Sequence, residues 1–412
     1  MSRVIVIGGG PAGMIAAVSA AEAGHQVTLL EKNEKLGKKL FITGKGRCNL
    51  TNGAQFEEQM RNIIHNPKFL FSSLRGFTNE DIMARVEAAG CPLKTERGQR
   101  VFPVSDHSSD VIRACRRMLD EAGVQVRLNT EVKGLILEHD TVRGVKLTGG
   151  GTLPADAVIA ATGGLSYPST GSTGDGYRWA GKTGHGVTKT RPALVPLEVK
   201  EASCRALQGL SLKNVELSLR DGQKVIYRDF GEMLFTHFGV SGPLVLSASS
   251  IAGERLESGP LTMEIDLKPA LDREKLDARL LRDFEKYRNK ELKNGLSELL
   301  PARLITEVIA QAGLDPEKKI REITKEERTG LLQALKGLTY TVTGTRGYAE
   351  AIVTQGGISV KDIDPRTMES RIVRGLHFAG EVLDVDGLTG GFNLQIAWST
   401  GWAAGKGVRD EH

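Results

Sequence analysis

The sequence predicts an α/β protein in which a parallel, doubly wound sheet is assembled from both ends of the chain, with a β-barrel-like insert and a helical insert between them. Three observations carry this. Residues 3–31, RVIVIGGGPAGMIAAVSAAEAGHQVTLLE, read as one strand–helix–strand unit. Residues 376–404 read as a further buried strand, an acidic glycine-rich loop and a small-faced helix. From Pro192 the texture changes to short β segments and then to charged helix.

Val4, Ile5, Val6 and Ile7 form an apolar run without alternation, which suits a strand covered on both faces. Gly8, Gly10 and Gly13 occupy the three positions of G-x-G-x-x-G. The first allows the tight turn, the second lets the backbone approach a pyrophosphate, and the third brings the helix close to the strand. Ala16, Ala17, Ala20 and Ala21 face that helix with small side chains. Glu31 ends the second strand, where a carboxylate accepts hydrogen bonds from ribose hydroxyls. This is a Rossmann-like dinucleotide unit, and the acid favours FAD or NAD over NADP.

Residues 41–52, FITGKGRCNLTN, combine Gly44 and Gly46 with Arg47 and short polar side chains, a composition suited to wrapping phosphates and ribityl hydroxyls. Residues 54–125 read as mostly helical, with amphipathic spacing over 56–64 and 79–89 and a helix over 109–122. Between the last two, residues 97–103 read as a turn and short strand carrying Arg97 and Arg100. Strands follow over 124–128 and 132–137, then a meander around Gly149–Gly151. The buried strand 156–161 ends in Thr162-Gly163-Gly164, and the glycine-rich loop 166–176 after it is read as wrapped on a ligand.

Short β segments over 194–199, 217–220, 225–228, 233–236 and 261–267 predict a small antiparallel barrel. Residues 269–338 predict helices, with Leu276, Leu280, Leu281, Phe284 and Tyr287 on one face and a capping box at Thr324 and Glu327. The expected domains are 1–191 with 344–412, the barrel-like 192–268 with 339–343, and the helical 269–338. At the far end Glu381, Asp384 and Asp386 are placed to bond ribityl hydroxyls. The amides of 391–394 would aim a helix dipole at an anion. Reduced flavin carries such a charge on its N1/C2 edge and nicotinamide does not, so FAD is the expected cofactor.

Forty per cent apolar and a quarter charged residues over 412 positions are ordinary for a globular protein of two or three domains. A net charge of +5 over this length is read as a solvated surface, with no nucleic acid expected. Cys48, Cys91, Cys115 and Cys204 form no C-x-x-C pair, so neither a metal site nor a dithiol centre is expected. With no signal-peptide pattern and no apolar run near 18 residues, the expected location is the cytoplasm and no membrane partner is expected. The oligomeric state has no signature.

The combination of GGGPAG with Glu31, GKGRCNLTN, ATGG followed by STGSTGDGY, FTHFGVSGP and AGEVLDVDGLTGGFNLQIAWSTGWAAG resembles the bacterial aminoacetone-oxidase-like, BaiN/YhiN-type family of NAD(P)/FAD-dependent oxidoreductases across essentially the whole chain. More distantly, ATGG with STGDG is similar to the flavoprotein subunits of fumarate reductases and aspartate oxidases. The resemblance implies a two-part flavin domain with barrel and helical inserts. Beyond the glycines Gly8, Gly10 and Gly13, it implies FAD contacts at Ala12, Glu31, Lys32, Gly44, Arg47, Cys48, Asn49, Thr51, Val132, Thr162, Gly163, Gly380, Glu381, Asp386, Gly391, Asn393, Leu394 and Gln395. Some members are similar to reductases of conjugated steroid enones.

The expected chemistry is hydride transfer between flavin N5 and a small organic substrate, with NAD(P)H as a transient co-substrate, since no second G-x-G-x-x-G unit is present. Candidate catalytic residues are His237 in FTHFGVSGP, Tyr167 and Arg100. The competing expectations are an FAD-containing RNA-binding or tRNA-modifying protein and an amine oxidase using oxygen directly.

Overall fold

Strand Arg3–Ile7 lies at the centre of a five-stranded parallel sheet because its apolar run can be covered on both faces. The order across the sheet is Leu376–Phe378, Ala157–Ala160, Arg3–Ile7, Gln26–Leu30 and Gln125–Arg127. Val4 pairs in register with Val27 on one side and Ala157 on the other, so both expected buried strands flank it directly. The computed structural model describes residues 1–409, and the chain divides into a first unit, Met1–Pro192 with Tyr348 onward, and a second, Ala193–Gly347.

In the first unit, helix Pro11–Glu22 packs against the C-terminal helix Phe392–Gly407. The crossing is close because glycine and alanine meet there. A Cβ on Gly401 would lie 2.3 Å from the Ala12 carbonyl oxygen, and one on Gly405 would lie 2.4 Å from that of Ala16. Ser19 Oγ donates to the Trp402 carbonyl at 2.9 Å, and the buried Trp398 donates its indole N–H to the Leu50 carbonyl at 3.0 Å.

One element of this unit departs from the sequence reading. The helix expected over 56–64 stops at Arg61, and Ile63–His65 becomes a strand that pairs antiparallel with Asp386–Gly387. Ordered pairing with a segment about 320 residues away overrides the local helical periodicity. Residues 100–103 form the expected short strand, the middle of a three-stranded sheet with Thr51–Asn52 and Leu93–Glu96.

The second unit is a closed six-stranded barrel, in the order Leu197–Val199, Gly239–Ser241, Lys224–Phe235, Ser211–Asp221, Leu261–Asp266, Leu338–Thr345. Gly344 therefore lies within a barrel strand, where the sequence reading had placed the return to the first domain. Helices Arg273–Lys286, Ala302–Gln311 and Lys325–Lys336 share one apolar core with the barrel. The predicted face of Leu276, Leu280 and Phe284 is buried, whereas Leu281 is exposed. The Thr324–Glu327 capping box is present. Helix Pro243–Arg255 was not read from the sequence. Its run of Leu, Ser and Ala has little amphipathic contrast, and its role is to cover the barrel strand Lys224–Phe235. No helix among the described residues is long and apolar enough to cross a membrane.

Two predictions follow from the first unit's packing. A Gly401→Val change drives a branched side chain into the Ala12 backbone, and overpacking costs about 1–3 kcal/mol, occasionally more. The expected result is a lower unfolding midpoint together with loss of bound FAD, and a variant that stayed as stable as the parent would refute the crossing. Buried His185 and His377 are bonded at 2.7 Å to Ser370 Oγ and 2.9 Å to the Thr367 carbonyl, and burial holds both pKa values below the ordinary imidazole value. Below about pH 6.5 the unfolded chain therefore takes up protons that the folded chain resists, and stability falls as pH falls. Urea midpoints at pH 7.5 and 5.5 check this; equal midpoints would contradict it.

Candidate functional site

The carboxyl edge of the parallel sheet opens on a cavity with about 1300 Å³ of atom-free space, open solvent at its mouth included. At and behind its wall the three motif glycines take distinct parts. Gly8 sits at φ +109°, and a Cβ there would meet the Ala161 carbonyl oxygen at 2.3 Å. A Cβ on Gly13 would lie 1.8 Å from the Gly8 oxygen, so this glycine is what lets the helix approach the strand. A Cβ on Gly10 would meet nothing within 4 Å, because Gly10 faces the cavity itself.

Helix Pro11–Glu22 begins at Gly10 and helix Phe392–Gly407 at Gly391; neither has a side-chain cap or an acidic residue in its first turn. Their first amides and positive dipole ends are therefore left for a ligand. Glu31 is 8% exposed and lines the same cavity. Its Oε2 accepts the Gly9 N–H at 2.7 Å, while Oε1 accepts the Asn33 backbone N–H at 2.8 Å and the Asn33 amide at 2.7 Å. Those bonds fix the carboxylate in place before any ribose arrives.

Of the residues expected to hold FAD, the cavity is lined by Gly8, Gly10, Ala12, Glu31, Lys32, Val132, Thr162, Gly163, Glu381, Asn393 and Leu394. The Lys32 ammonium is held by Asp175 and Thr173, both at 2.7 Å. Burial pushes the Asp175 carboxyl up, but Lys32, Thr173 and Arg178 together bring it below its ordinary value. Lys39 pairs with Glu381 at 2.6 Å, and Glu381 also accepts the Thr354 N–H at 2.8 Å. Asn393 spends its amide on Gly387, accepting the N–H at 2.9 Å and donating to the carbonyl at 2.7 Å.

Gly13, Gly44, Arg47, Cys48, Asn49, Thr51, Gly380, Asp386, Gly391 and Gln395 stand behind that lining. Several are structural in a way the sequence did not show. Arg47 was read as a phosphate-side cation, yet its guanidinium lies 4.2 Å over the Phe102 ring and bonds Glu96 at 2.5 Å and Asp106 at 2.6 Å. Its charge is neutralised within the protein. Thr51 donates to Gln395 at 2.6 Å, and Gln395 donates to Ser399 at 2.9 Å, which ties the loop to the C-terminal helix. Gly380 donates to Thr400 Oγ1 at 2.9 Å, and a Cβ on Gly391 would meet Thr51 backbone at 2.4 Å. The Cys48 thiol is buried, and burial pushes its pKa up to about 12, so it is no reactive thiol.

Among the expected catalytic residues, Tyr167 adopts φ +51° and donates its N–H to the Tyr348 carbonyl at 2.9 Å; burial raises its phenol pKa. Arg100 is exposed and donates to the Arg97 carbonyl at 3.1 Å. Neither side chain lines the cavity. His237 is exposed in the second unit, edge-on to Phe238 with centroids 4.9 Å apart. Lys39, Leu40, Thr43, Val353 and Val385 also line the cavity and were not singled out. Val353 sits on a three-residue strand with no motif around it, so nothing in the local sequence marks it.

The cavity fits FAD on three internal grounds. Gly10 leaves open space beside a helix N-terminus, two uncapped dipoles converge, and three buried polar atoms lack a protein partner: Asn49 Oδ1, Thr162 Oγ1 and Asp386 Oδ2. Such atoms cost about 1–3 kcal/mol each when left unbonded, and all three belong to residues expected to meet the cofactor. A parallel-sheet domain that gathers both chain ends around a dinucleotide cavity of this form is that of an FAD-dependent oxidoreductase. More narrowly, the family model described as "HI0933-like protein Rossmann domain" matches residues 2–407, and the chain belongs to that family.

The chain is 31% identical over 416 residues to the 3-dehydro-bile acid delta(4,6)-reductase of Clostridium scindens, with all of both chains covered. It is 33% identical over 402 residues to the ribosomal RNA dihydrouridine synthase of Escherichia coli, covering 98% of this chain and 96% of that one. A flavocytochrome c3 fumarate reductase in its open conformation shares the fold at 18% identity and a TM-score of 0.50, covering 98% of this chain and 78% of the other.

The glycine geometry separates binding from folding. Gly10→Val is expected to leave the unfolding midpoint of the FAD-free protein near that of the parent while weakening FAD binding at least tenfold by fluorescence titration. Gly13→Val is expected to lower the midpoint itself, and Gly10→Val binding FAD normally would remove the pyrophosphate from that wall.

Proposed function

We propose that the protein reduces a carbon–carbon double bond conjugated with a carbonyl group, using FAD in this cavity and a reduced nicotinamide as electron donor. The observation that carries the reading is the convergence of two uncapped helix N-termini on one cavity, the second starting at Gly391 beside the lining residues Asn393 and Leu394. When bound, FAD supplies hydride chemistry at N5.

The chain's own groups do the rest. Glu31 and the Gly10 turn take the adenosine and pyrophosphate end, which directs the ring end toward Thr43, Val353, Asn393 and Leu394. The other expected contacts at Lys32, Val132, Thr162, Gly163 and Glu381 line the same cavity. The amides at the start of helix Phe392–Gly407 favour negative charge on the ring's pyrimidine edge, which makes reduction easier.

The two full-length relatives are named for different substrates, yet their names describe one reaction type. A bile-acid enone and the uracil ring each hold an alkene polarised by a neighbouring carbonyl. The small enone matches the sequence reading. A uracil in RNA is the second reading, favoured by the relative named for ribosomal RNA and by the net charge of +5.

Anaerobic stopped-flow mixing with NADH or NADPH is expected to bleach the flavin, and failure with both would remove the nicotinamide. Reoxidation of the bleached protein is then followed with a 3-keto-4-ene steroid and with a ribosomal RNA transcript lacking modifications. Reoxidation by one and not the other assigns the substrate, and reoxidation by neither refutes the proposed reaction.

A further inference from the structure

The glycine-rich segment that follows strand Ala157–Ala160 is anchored firmly at both ends and lightly in the middle. At its start the Leu165 and Ser166 N–H groups donate to Thr354 Oγ1 at 2.8 and 3.0 Å, and both Ser166 and Thr354 are fully buried. At its far end helix Asp175–Lys182 is seated by the buried Trp179, whose indole N–H donates to the Lys133 carbonyl at 3.3 Å. A Cβ on Gly176 would lie 2.5 Å from Thr162 Oγ1, so the helix start sits tight against the end of the strand. Between these anchors Tyr167, Gly171 and Gly174 take φ of +51°, +104° and +75°, which folds the tip through three sharp turns, and Pro168, Ser169 and Thr173 are exposed.

The inner side of this tip is cavity wall. Thr170, Gly171, Ser172 and Asp175 line the cavity together with Lys32 and Asn33, and a Cβ on Gly163 would lie 3.1 Å from the Ser172 hydroxyl. Two side chains from the end of the second strand fasten it. The Asn33 amide donates to Glu31 Oε1 at 2.7 Å and to the Thr170 carbonyl at 3.0 Å, so one group grips both the ribose-side acid and the tip. The Lys32 ammonium donates at 2.7 Å to Asp175 Oδ2 and at 2.7 Å to Thr173 Oγ1. Asp175 belongs to the anchored helix and holds the ammonium in place; the bond to Thr173 is the one that reaches the tip. Thr173 passes its own proton to Asp175 at 2.9 Å, and Arg178 of the same helix donates to the Thr173 carbonyl at 3.2 Å.

We propose that residues 167–174 are a strap that opens to admit and release FAD, and that Lys32 and Asn33 are its latch. The inference rests on FAD occupying this cavity and not on the reaction proposed above. A glycine-jointed tip held by a few side-chain bonds opens at lower cost than the buried strand and helix on either side of it. Swinging Thr170–Thr173 outward removes the wall beside Lys32 and Asn33 and leaves the sheet, both anchors and the Gly9–Glu31 bond in place. Closing it returns the Thr170 carbonyl to the Asn33 amide that also orients Glu31. Closure of the strap and alignment of the ribose-binding carboxylate are therefore coupled through one side chain.

Thr173 tests the latch from outside the site, since it is exposed and is not a lining residue of the cavity. Thr173→Val keeps the side-chain shape and removes the hydroxyl that meets Lys32. FAD release is followed by the rise of free-flavin fluorescence when the loaded protein is diluted, and uptake by its quenching when FAD is mixed with the deflavinated protein. A strap that gates the cavity predicts that both rates rise about tenfold, the scale of one charge-assisted hydrogen bond, while Kd stays within about twofold of the parent. Thr173→Ser, which keeps the hydroxyl, is expected to exchange FAD at parental rates. In amide hydrogen exchange, Thr173→Val is expected to lose protection over residues 169–174 and to keep it in strand Ala157–Ala160. Parental rates of release and uptake in Thr173→Val would overturn the strap, and so would faster release alone, which marks a fixed wall that the cofactor merely touches. A parent that takes up no FAD removes the cofactor from this cavity and the strap with it; a parent that binds FAD beside a Thr173→Val that exchanges it no faster removes the strap alone.

Discussion

The first unit depends on one close contact, the crossing of helix Pro11–Glu22 with helix Phe392–Gly407. Gly401 and Gly405 let the second helix lie on the backbone of Ala12 and Ala16, at distances that any side chain would close. Both helices start from glycines and neither carries a cap or an acidic first turn, so bringing them together brings two positive backbone ends into one cavity. The packing is thus also the electrostatic design: small residues in the seam decide where the dipoles point. Trp398, fully buried and bonded to Leu50, fixes the loop that follows the second strand against the same helix.

Charged side chains around the cavity are mostly spoken for by one another. Lys32 meets Asp175, Lys39 meets Glu381, Arg47 meets Glu96 and Asp106, and Glu31 is held by Gly9 and Asn33. A site arranged this way presents fixed donors and acceptors whose orientation costs nothing further at the moment of binding. Backbone amides are what remain to meet the negative charge of a pyrophosphate or a reduced ring.

Where the sequence was informative, the signal was local. The strand, the glycine triad and the acid of residues 3–31 lie within one supersecondary unit, and each glycine's place follows from what its missing Cβ would strike. The C-terminal helix was legible for the same reason, as a glycine turn leading into small residues. The ion pairs of Arg47 could not be read from the sequence because its partners Glu96 and Asp106 lie about 50 to 60 positions away, beyond any periodic pattern. Strand Ile63–His65 was hidden at the end of an apparently helical stretch, and only its pairing with Asp386–Gly387 reveals it. Helix Pro243–Arg255 escaped notice because its small and apolar residues show no polar face to mark a period.

The edge strand Leu376–Phe378 and the helix behind it close a sheet whose central strand begins at Arg3. During synthesis the amino-terminal half of that sheet therefore leaves the ribosome without its last strand and without half of its cofactor pocket. The barrel unit, continuous from Ala193 to Gly347, can condense in the meantime. The flavin pocket is in consequence complete only once residues 376–407 have joined the strands made more than 200 positions earlier.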